Sequence, residues 1–496
     1  MFKIVKISLF VLTLLLGTSQ QVFSEASDPS EEEVYFLFLI NEARKDPLGM
    51  AEYLGLDREA ILQDLPQLKE ILTAGVPPLK FDPKLYKAAV GHTAEMLKEN
   101  YYAHDALDGR TYGERIRESG YLAVVNGESL GMLSFQNFIA PEEAVEAIFK
   151  SIFLDELDPA TQAERNILNP EITEAGIALG SGPFNMNGFS LNAYLTTLDF
   201  GKPVVDTEAV EAILVGMLNV ARSDPGLAFL GAGIDAERAA KAYGDLASAL
   251  TRSLAPLAWN NELHGAASAH NRDMHEQGYF DTVSLDGLTA FDRVATTGYD
   301  AVCVGESLDE VFIALGGEQS LDAFDVAYKL YESILHKDTN PEFNSERNIF
   351  HPFVTEIGIS VETSSRVPDG GDEQLIGIVL VADFAEPLEQ RYFLMGTVYE
   401  DHNKNGVVDK NEAIQGITIR LSPGEGAVGP EIVTQSGPTG RYQIDVSQLP
   451  TNFMEMYVDW QGDAIGPFGL IVAPIRKNLL RNLRITESKK KWGIYY

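Results

Sequence analysis

Hydrophobic positions change their period along this chain. Leu85, Ala88, Ala89, His92 and Met96 recur at three- and four-residue intervals, and Leu263, Ala266, Ala267, His270 and Met274 repeat the spacing, so each set predicts an amphipathic helix. Elsewhere apolar residues run together or alternate. GIALG with FSLNAYLTTLDF, and GISVE with QLIGIVLVADF, read as strand pairs separated by polar turns. Near the C-terminus MGTVY, ITIRL and TGRYQIDV (Thr439–Val446) alternate at period two, which predicts strands with no helix between them. At the other end the apolar run Ile7–Leu16, broken only by Ser8 and Thr13, follows Lys3 and Lys6 and precedes a cleavage-like Val22-Phe23-Ser24, so residues 1–24 read as a signal peptide. That run is well short of the ~20 residues a membrane span needs. The expectation is an exported chain without a transmembrane segment once the leader is removed.

The predicted elements occur in two sets because one unit is written twice. LINEARKDP (Leu39–Pro47) returns as MLNVARSDP (Met217–Pro225), and the same offset of 178 joins Leu79 to Leu257, His92 to His270, Asp108 to Asp286, Arg115 to Arg293 and Glu128 to Glu306. Further on, ERNILNPEITEAGIAL (Glu164–Leu179) returns as ERNIFHPFVTEIGISV (Glu346–Val361) at an offset of 182, so the second copy carries four extra residues. Each copy is of domain size, unlike the short units of a solenoid. Two tandem domains are expected, 31–203 and 207–387, followed by a β-rich region at 393–485 and a basic tail at 486–496. With helices leading and antiparallel strands closing each copy, the class is α+β. GKPVVDT (Gly201–Thr207) and AEPLEQR (Ala385–Arg391) read as linkers between self-sufficient cores.

Composition narrows the function. The chain has 496 residues, 45% of them hydrophobic, and a formal charge of -35 from 38 basic against 73 acidic side chains. A surface so acidic repels phosphate backbones, which argues against nucleic acid as a partner and favours divalent cations. Cys303 is the lone cysteine, so no intramolecular disulfide supports the fold. The basic C-terminal stretch, with Arg476, Lys477, Arg481, Arg484 and Lys489–Lys491, reads as a solvated last strand able to meet an anionic envelope or the protein's own acidic face.

LxNxAR, the helix PLxxdxxLxxAAxxHxxxM, HDALDG, an arginine ahead of a Gly-Tyr pair, the Gly127-Glu128 turn, and NIL followed by TExGIxL together resemble the CAP superfamily. This is the group of cysteine-rich secretory, antigen 5 and pathogenesis-related proteins, also called the SCP domain. The resemblance covers both copies nearly end to end. It implies an α-β-α sandwich for each copy, secretion, and a cleft that in this family often carries two histidines and two glutamates. His104 and Glu128 match the first histidine and the GE glutamate. The second histidine, expected just before NIL, is missing, because Ala163-Glu164-Arg165 occupies that stretch, where Arg165 is expected to pair with Glu164.

The C-terminal region carries its own motif. Asp401-x-Asn403-x-Asn405-Gly406, five residues, then Glu412 is a full match to the twelve-residue calcium loop. Calcium takes six to eight oxygens, so Asp401, Asn403, Asn405 and Asp409 are the expected side-chain ligands, Val407 offers its carbonyl, and Glu412 closes the site with two oxygens. Strands rather than helices flank the loop, which places it in a small all-β sandwich. This resembles the B-type repeats of Gram-positive surface adhesins and the carboxypeptidase regulatory-like sandwiches.

An imidazole beside a carboxylate, as at His104 and Glu128, binds a metal, acts as a base, or serves as a hydrogen-bonded brace. Zinc asks for three or four protein ligands, and two do not make its site. In the second copy Thr282 stands where His104 stands in the first, leaving Glu306, and His92 and His270 fall on apolar helix faces as core residues. No H-E-x-x-H pattern occurs. The chain therefore reads as a bacterial-type, non-catalytic binding protein, secreted, surface-attached or periplasmic, with calcium as cofactor and an envelope component, lipid, glycan or protein as ligand. The alternatives are a metal-dependent hydrolase or peptidase working in the first cleft, and an adhesin-like spacer.

Overall fold

The computed structural model describes residues 28–161, 164–186, 189–314, 320–343, 347–366, 375–403, 408–424, 429–449, 453–460, 463–466, 470–472, 477–485 and 492–495. The signal peptide at 1–24 and part of the basic tail, Lys489–Lys491, lie outside them, as do Ala163, Asn405, Gly406 and Val407. The chain divides into two compact units, one ending at Pro203 and the other starting at Val204.

The first unit opens with α1 (Glu31–Lys45) and three short helices, α2 (Pro47–Tyr53), α3 (Arg58–Asp64) and α4 (Lys69–Ala74). Then come β1 (Lys80–Phe81), α5 (Pro83–Glu99), α6 (Tyr112–Glu118), β2 (Ala123–Phe135), α7 (Pro141–Glu156), β3 (Glu174–Met186) and β4 (Phe189–Pro203). The sheet order is β1-β3-β4-β2, antiparallel except for β1. Side chains of β3 and β4 alternate between two buried layers. Ile177, Leu198 and Phe200 join Phe36 and Ile40 of α1 and Ile148 and Phe153 of α7, whereas Ala178 and Leu195 pack towards α5. The unit is an α-β-α sandwich of α+β class, with both sheet faces covered.

The LINEARKDP motif has a structural explanation. Asn41 clamps Leu79 by accepting its N–H at 2.7 Å and donating to its carbonyl at 3.0 Å. Arg44 is fully buried and donates to the carbonyls of Pro77, Ile167, Asn169 and Ile172, so one guanidinium ties the end of α1 to two distant loops. Asp46 caps α2 by accepting the Gly49 N–H at 2.9 Å. Gly176 explains TExGIxL, since a Cβ there would sit 2.0 Å from the Tyr86 nitrogen, and α5 lies on β3 only because none is present.

The second unit repeats this plan: α8 (Thr207–Ser223), α9 (Pro225–Ala232), α10 (Ala236–Tyr243), β5 (Ala258–Trp259), α11 (Asn261–Gln277), α12 (Ala290–Thr296), β6 (Ala301–Ala314), α13 (Ala323–Asp338), β7 (Glu356–Arg366) and β8 (Leu375–Pro387). Its sheet order, β5-β7-β8-β6, is that of the first unit. Asn219 clamps Leu257, Arg222 donates to the carbonyls of Ala255, Ile349, His351 and Val354, and Gly358 lets α11 approach β7.

The β-rich region follows within the same unit. Its strands are β9 (Phe393–Glu400), β10 (Thr418–Pro423), β11 (Ile432–Gln435), β12 (Arg441–Asp445), β13 (Phe453–Trp460), β14 (Asp463–Ile465), β15 (Leu470–Val472), β16 (Leu479–Leu480), β17 (Asn482–Ile485) and β18 (Trp492–Tyr495). One sheet is built on β11-β10-β13-β14 and the other on β12-β9-β17-β18. Leu394, Val398, Ile419, Tyr442, Met456, Val458 and Leu483 from both sheets form one apolar cluster. The segment read as a second linker is instead built into the fold. Ala385–Pro387 belong to β8, the Leu388 N–H donates to the Asp300 carbonyl at 2.9 Å, and Arg391 pairs with Glu356 at 3.0 Å. Further ties follow: Gln443 exchanges two hydrogen bonds with the Trp259 backbone, and Asn478 donates to the carbonyls of Pro256 and Thr355.

Candidate functional site

In the first unit the sequence-predicted residues meet on the α5/α6 face of the sheet. Glu128 on β2 is buried, and its two oxygens are engaged differently: Oε1 takes the His104 ring nitrogen Nδ1 at 2.8 Å, and Oε2 takes Arg115 Nη2 at 2.5 Å. Arg115 also donates to the carbonyls of His104 and Arg110, fixing the loop that carries the histidine. The side chain of His104 remains 55% exposed. Its hydrogen bond to Glu128 outweighs partial burial and raises its pKa. His92, below it on α5, is fully buried with Nε2 on the Ala103 carbonyl at 2.9 Å, and burial lowers its pKa.

The second unit uses the same arginine and glutamate but a different histidine. Arg293 Nη2 lies 2.7 Å from Glu306 Oε1 and donates to the carbonyl of Thr282, the residue in the place of His104. Glu306 is not left alone with that arginine, as substitution at position 282 had suggested. His270 of α11, the counterpart of His92, turns Nδ1 to Glu306 Oε1 at 3.0 Å. His270 is nonetheless a core residue, almost fully buried, so its pair with Glu306 faces inward.

A residue that the spacing did not single out completes both sites. Asp199 of β4 stands directly opposite Glu128 of β2, and Asp383 of β8 stands opposite Glu306 of β6; both aspartates are fully buried. The recurrence of LDF and ADF at the copy ends was the available signal. Arg165, expected to pair with Glu164, donates instead to the carbonyls of Glu156 and Asp158, because the loop after α7 turns those carbonyls towards it while Glu164 stays in solvent.

Beside the first site, along β2 at the edge of the sheet, runs a groove of about 370 Å³. It is lined by Tyr102, Leu130, Met132, Leu133, Ile148 and Ile152 among others. Gly131 sits in its floor, where a Cβ would come within 2.2 Å of Ile148. The second unit has Asp309 at this position. Asp309 is buried and ion-paired with Lys337 of α13.

In the C-terminal loop, Glu412 accepts the backbone N–H groups of His402 and Asp409, each at 2.9 Å, and Asn403 donates to Asp409 at 2.6 Å. Asp401 is buried and pairs with Arg484 at 2.8 Å, so part of the basic stretch meets the protein's own acidic loop. Among the described residues no group of three or more His, Cys, Asp or Glu side chains is arranged to hold a metal ion.

The duplicated α-β-α sandwich, with a glutamate bound by an arginine and a histidine above each central sheet, defines a class of fold and site. Comparison with known proteins places it: the sequence model of the cysteine-rich secretory protein family, CAP, matches residues 37–198 and 216–384, and the chain belongs to that family. Among solved structures, an extracellular SCP-domain protein from Bacillus anthracis str. Ames is similar at 20% identity over 26% of this chain and 34% of that one, with a TM-score of 0.18. An outer surface protein from Borrelia burgdorferi is similar at 16% identity over 29% of this chain and 91% of that one, also with a TM-score of 0.18. This chain thus spans about a third of the Bacillus protein's length. A comparison with curated proteins finds no match.

Proposed function

We propose that the protein is an exported or surface-associated binding protein whose first copy holds a small ligand with an apolar body and a hydrogen-bond-accepting or anionic head. The observation that carries this reading is the groove along β2, which shares its loop with the site: Tyr102 lines the groove and His104, two residues on, presents its ring outward. Apolar walls with few polar groups at one end are the usual make-up of a small-molecule site. Glu128 is engaged on both oxygens, which suits a brace that orients His104 better than a base that must release and take up protons during turnover. Export is supported by the N-terminal apolar run, and among the described residues no single helix is long and apolar enough to cross a membrane.

The C-terminal loop is read as a calcium site that stabilises its sheets. Asp401, Asn403, Asp409 and Glu412 supply oxygen donors of the kind calcium takes, and Asp401 already holds a counter-charge in Arg484. Calcium there would neutralise the loop.

Titration with anilinonaphthalene sulfonate, an apolar anion, tests the ligand reading. Ser151→Trp, which fills the groove, and His104→Ala, which removes the head contact, are each expected to weaken binding to the first copy severalfold. Unchanged binding in both variants overturns it.

A further inference from the structure

Asp199 has no ordinary hydrogen-bonding solution as an anion. It is fully buried, no N–H or O–H among the described residues reaches either of its carboxylate oxygens, and the residue facing it across the β2–β4 ladder is another acid, Glu128. On its other side in the sheet lies Gly176, which contributes no side chain. An ionised carboxylate only accepts, so two buried carboxylates facing one another are satisfied when one carries a proton and gives it to the other. Which of the two carries it follows from their remaining partners. Glu128 takes Arg115 and His104 and is suited to be the anion; Asp199 has neither.

We propose that Asp199 is a neutral, proton-bearing carboxyl that donates to Glu128 and leaves the site with a single negative charge between Arg115 and His104. The groups facing the pair are Arg115 from α6, His104 and Tyr102 from the loop before it, His92 from α5 and Tyr112 at the start of α6. Burial and the Glu128 charge both push the Asp199 carboxyl well above the usual range, in keeping with that assignment. Asp199 is a positioning residue. Its proton draws on Glu128 from behind, and Glu128 sets the charge of the exposed His104 ring. Asp383 holds the same place opposite Glu306 in the second copy. The inference does not depend on what the groove binds.

The His104 titration, followed by NMR in the mature chain and in Asp199→Asn, separates the two protonation states. If Asp199 is neutral, asparagine replaces one neutral donor with another, and the His104 pKa moves by less than about half a unit. If Asp199 is an anion, its removal takes away a nearby negative charge and the His104 pKa falls by about half a unit or more, which overturns the proposal. A second measurement needs no variant. Infrared spectra of protein with carboxyl-labelled aspartate, recorded above the Asp338 value of about 6, should contain the carbonyl band of a protonated aspartic acid. Its absence from the wild-type protein overturns the proposal even if Asp199→Asn does not fold.

Discussion

His270 Nδ1 lies 3.0 Å from Glu306 Oε1, whereas His92 at the corresponding position turns Nε2 to the Ala103 carbonyl at 2.9 Å and leaves Glu128 to His104. The same glutamate is therefore braced from the core in one copy and from the surface in the other. His270→Ala is expected to cost about 1–3 kcal/mol, since it strips a buried charged group of a partner. His104→Ala, at a half-exposed position, should cost less than about 1 kcal/mol. Urea unfolding of the two variants checks the order.

Arg44 and Arg222 each satisfy four carbonyls from complete burial, which pulls their pKa down to about 10 and still leaves them charged at neutral pH. Arg44→Met keeps the volume but leaves those carbonyls without donors, and a loss of about 3 kcal/mol or more is expected. Arg44→Lys should recover only part of it, because one ammonium cannot reach four carbonyls in a plane. Thermal and denaturant unfolding supply the measurement.

Burial lifts the Glu156 and Glu211 carboxyls to about 8 each. Their folded values exceed their unfolded ones, so folding takes up protons and stability falls as pH rises from the ordinary glutamate range towards about 8. Melting temperatures should accordingly be highest under mildly acidic conditions. Glu156→Gln should flatten the slope while lowering stability, since Glu156 also accepts the Ile167 and Leu168 N–H groups. A slope unchanged in Glu156→Gln and Glu211→Gln would contradict the assignment.

If the loop at Asp401–Glu412 takes calcium, the C-terminal sheets should melt at a higher temperature with calcium than with chelator, by mass action. Glu412→Ala should abolish the difference. Identical melts of the wild-type protein would remove calcium from the account.

Residues 204–496 should behave as one folding unit. A chain ending at Glu389 loses Asn478 and Gln443 from Pro256, Thr355 and Trp259, and Arg391 from Glu356. It is expected to melt well below the full unit, whereas residues 28–203 should retain their native circular dichroism alone. Equal melting of the shortened and complete second unit would contradict this.

The duplication, the helix α5 and the closing strand pairs were legible because their signals are local and periodic. So were His104 and Glu128, which stand at fixed positions in a recurring motif. The partner of Glu306 was hidden, because which way a buried histidine turns is decided by three-dimensional packing: with Thr282 in place of His104, the nearer base is on α11. Asp199 was overlooked for a related reason. Nothing in the sequence around an aspartate inside an apolar strand shows which residue it faces, and only the strand register sets it opposite Glu128. The second linker failed because AEPLEQR has the composition of a loop, and nothing local reveals that Glu356, 35 positions earlier, waits for Arg391.

Gly131 and Asp309 occupy one position in the two copies, and their difference makes the copies unequal at that point. In the first copy that position is a glycine in the floor of the β2 groove, and in the second it carries an internal ion pair between Asp309 and Lys337. The copy with the ion pair is the one against which the C-terminal strands are built. If the groove of the first copy takes a ligand, substitutions at Gly131 should alter binding, whereas substitutions at Asp309 should alter stability.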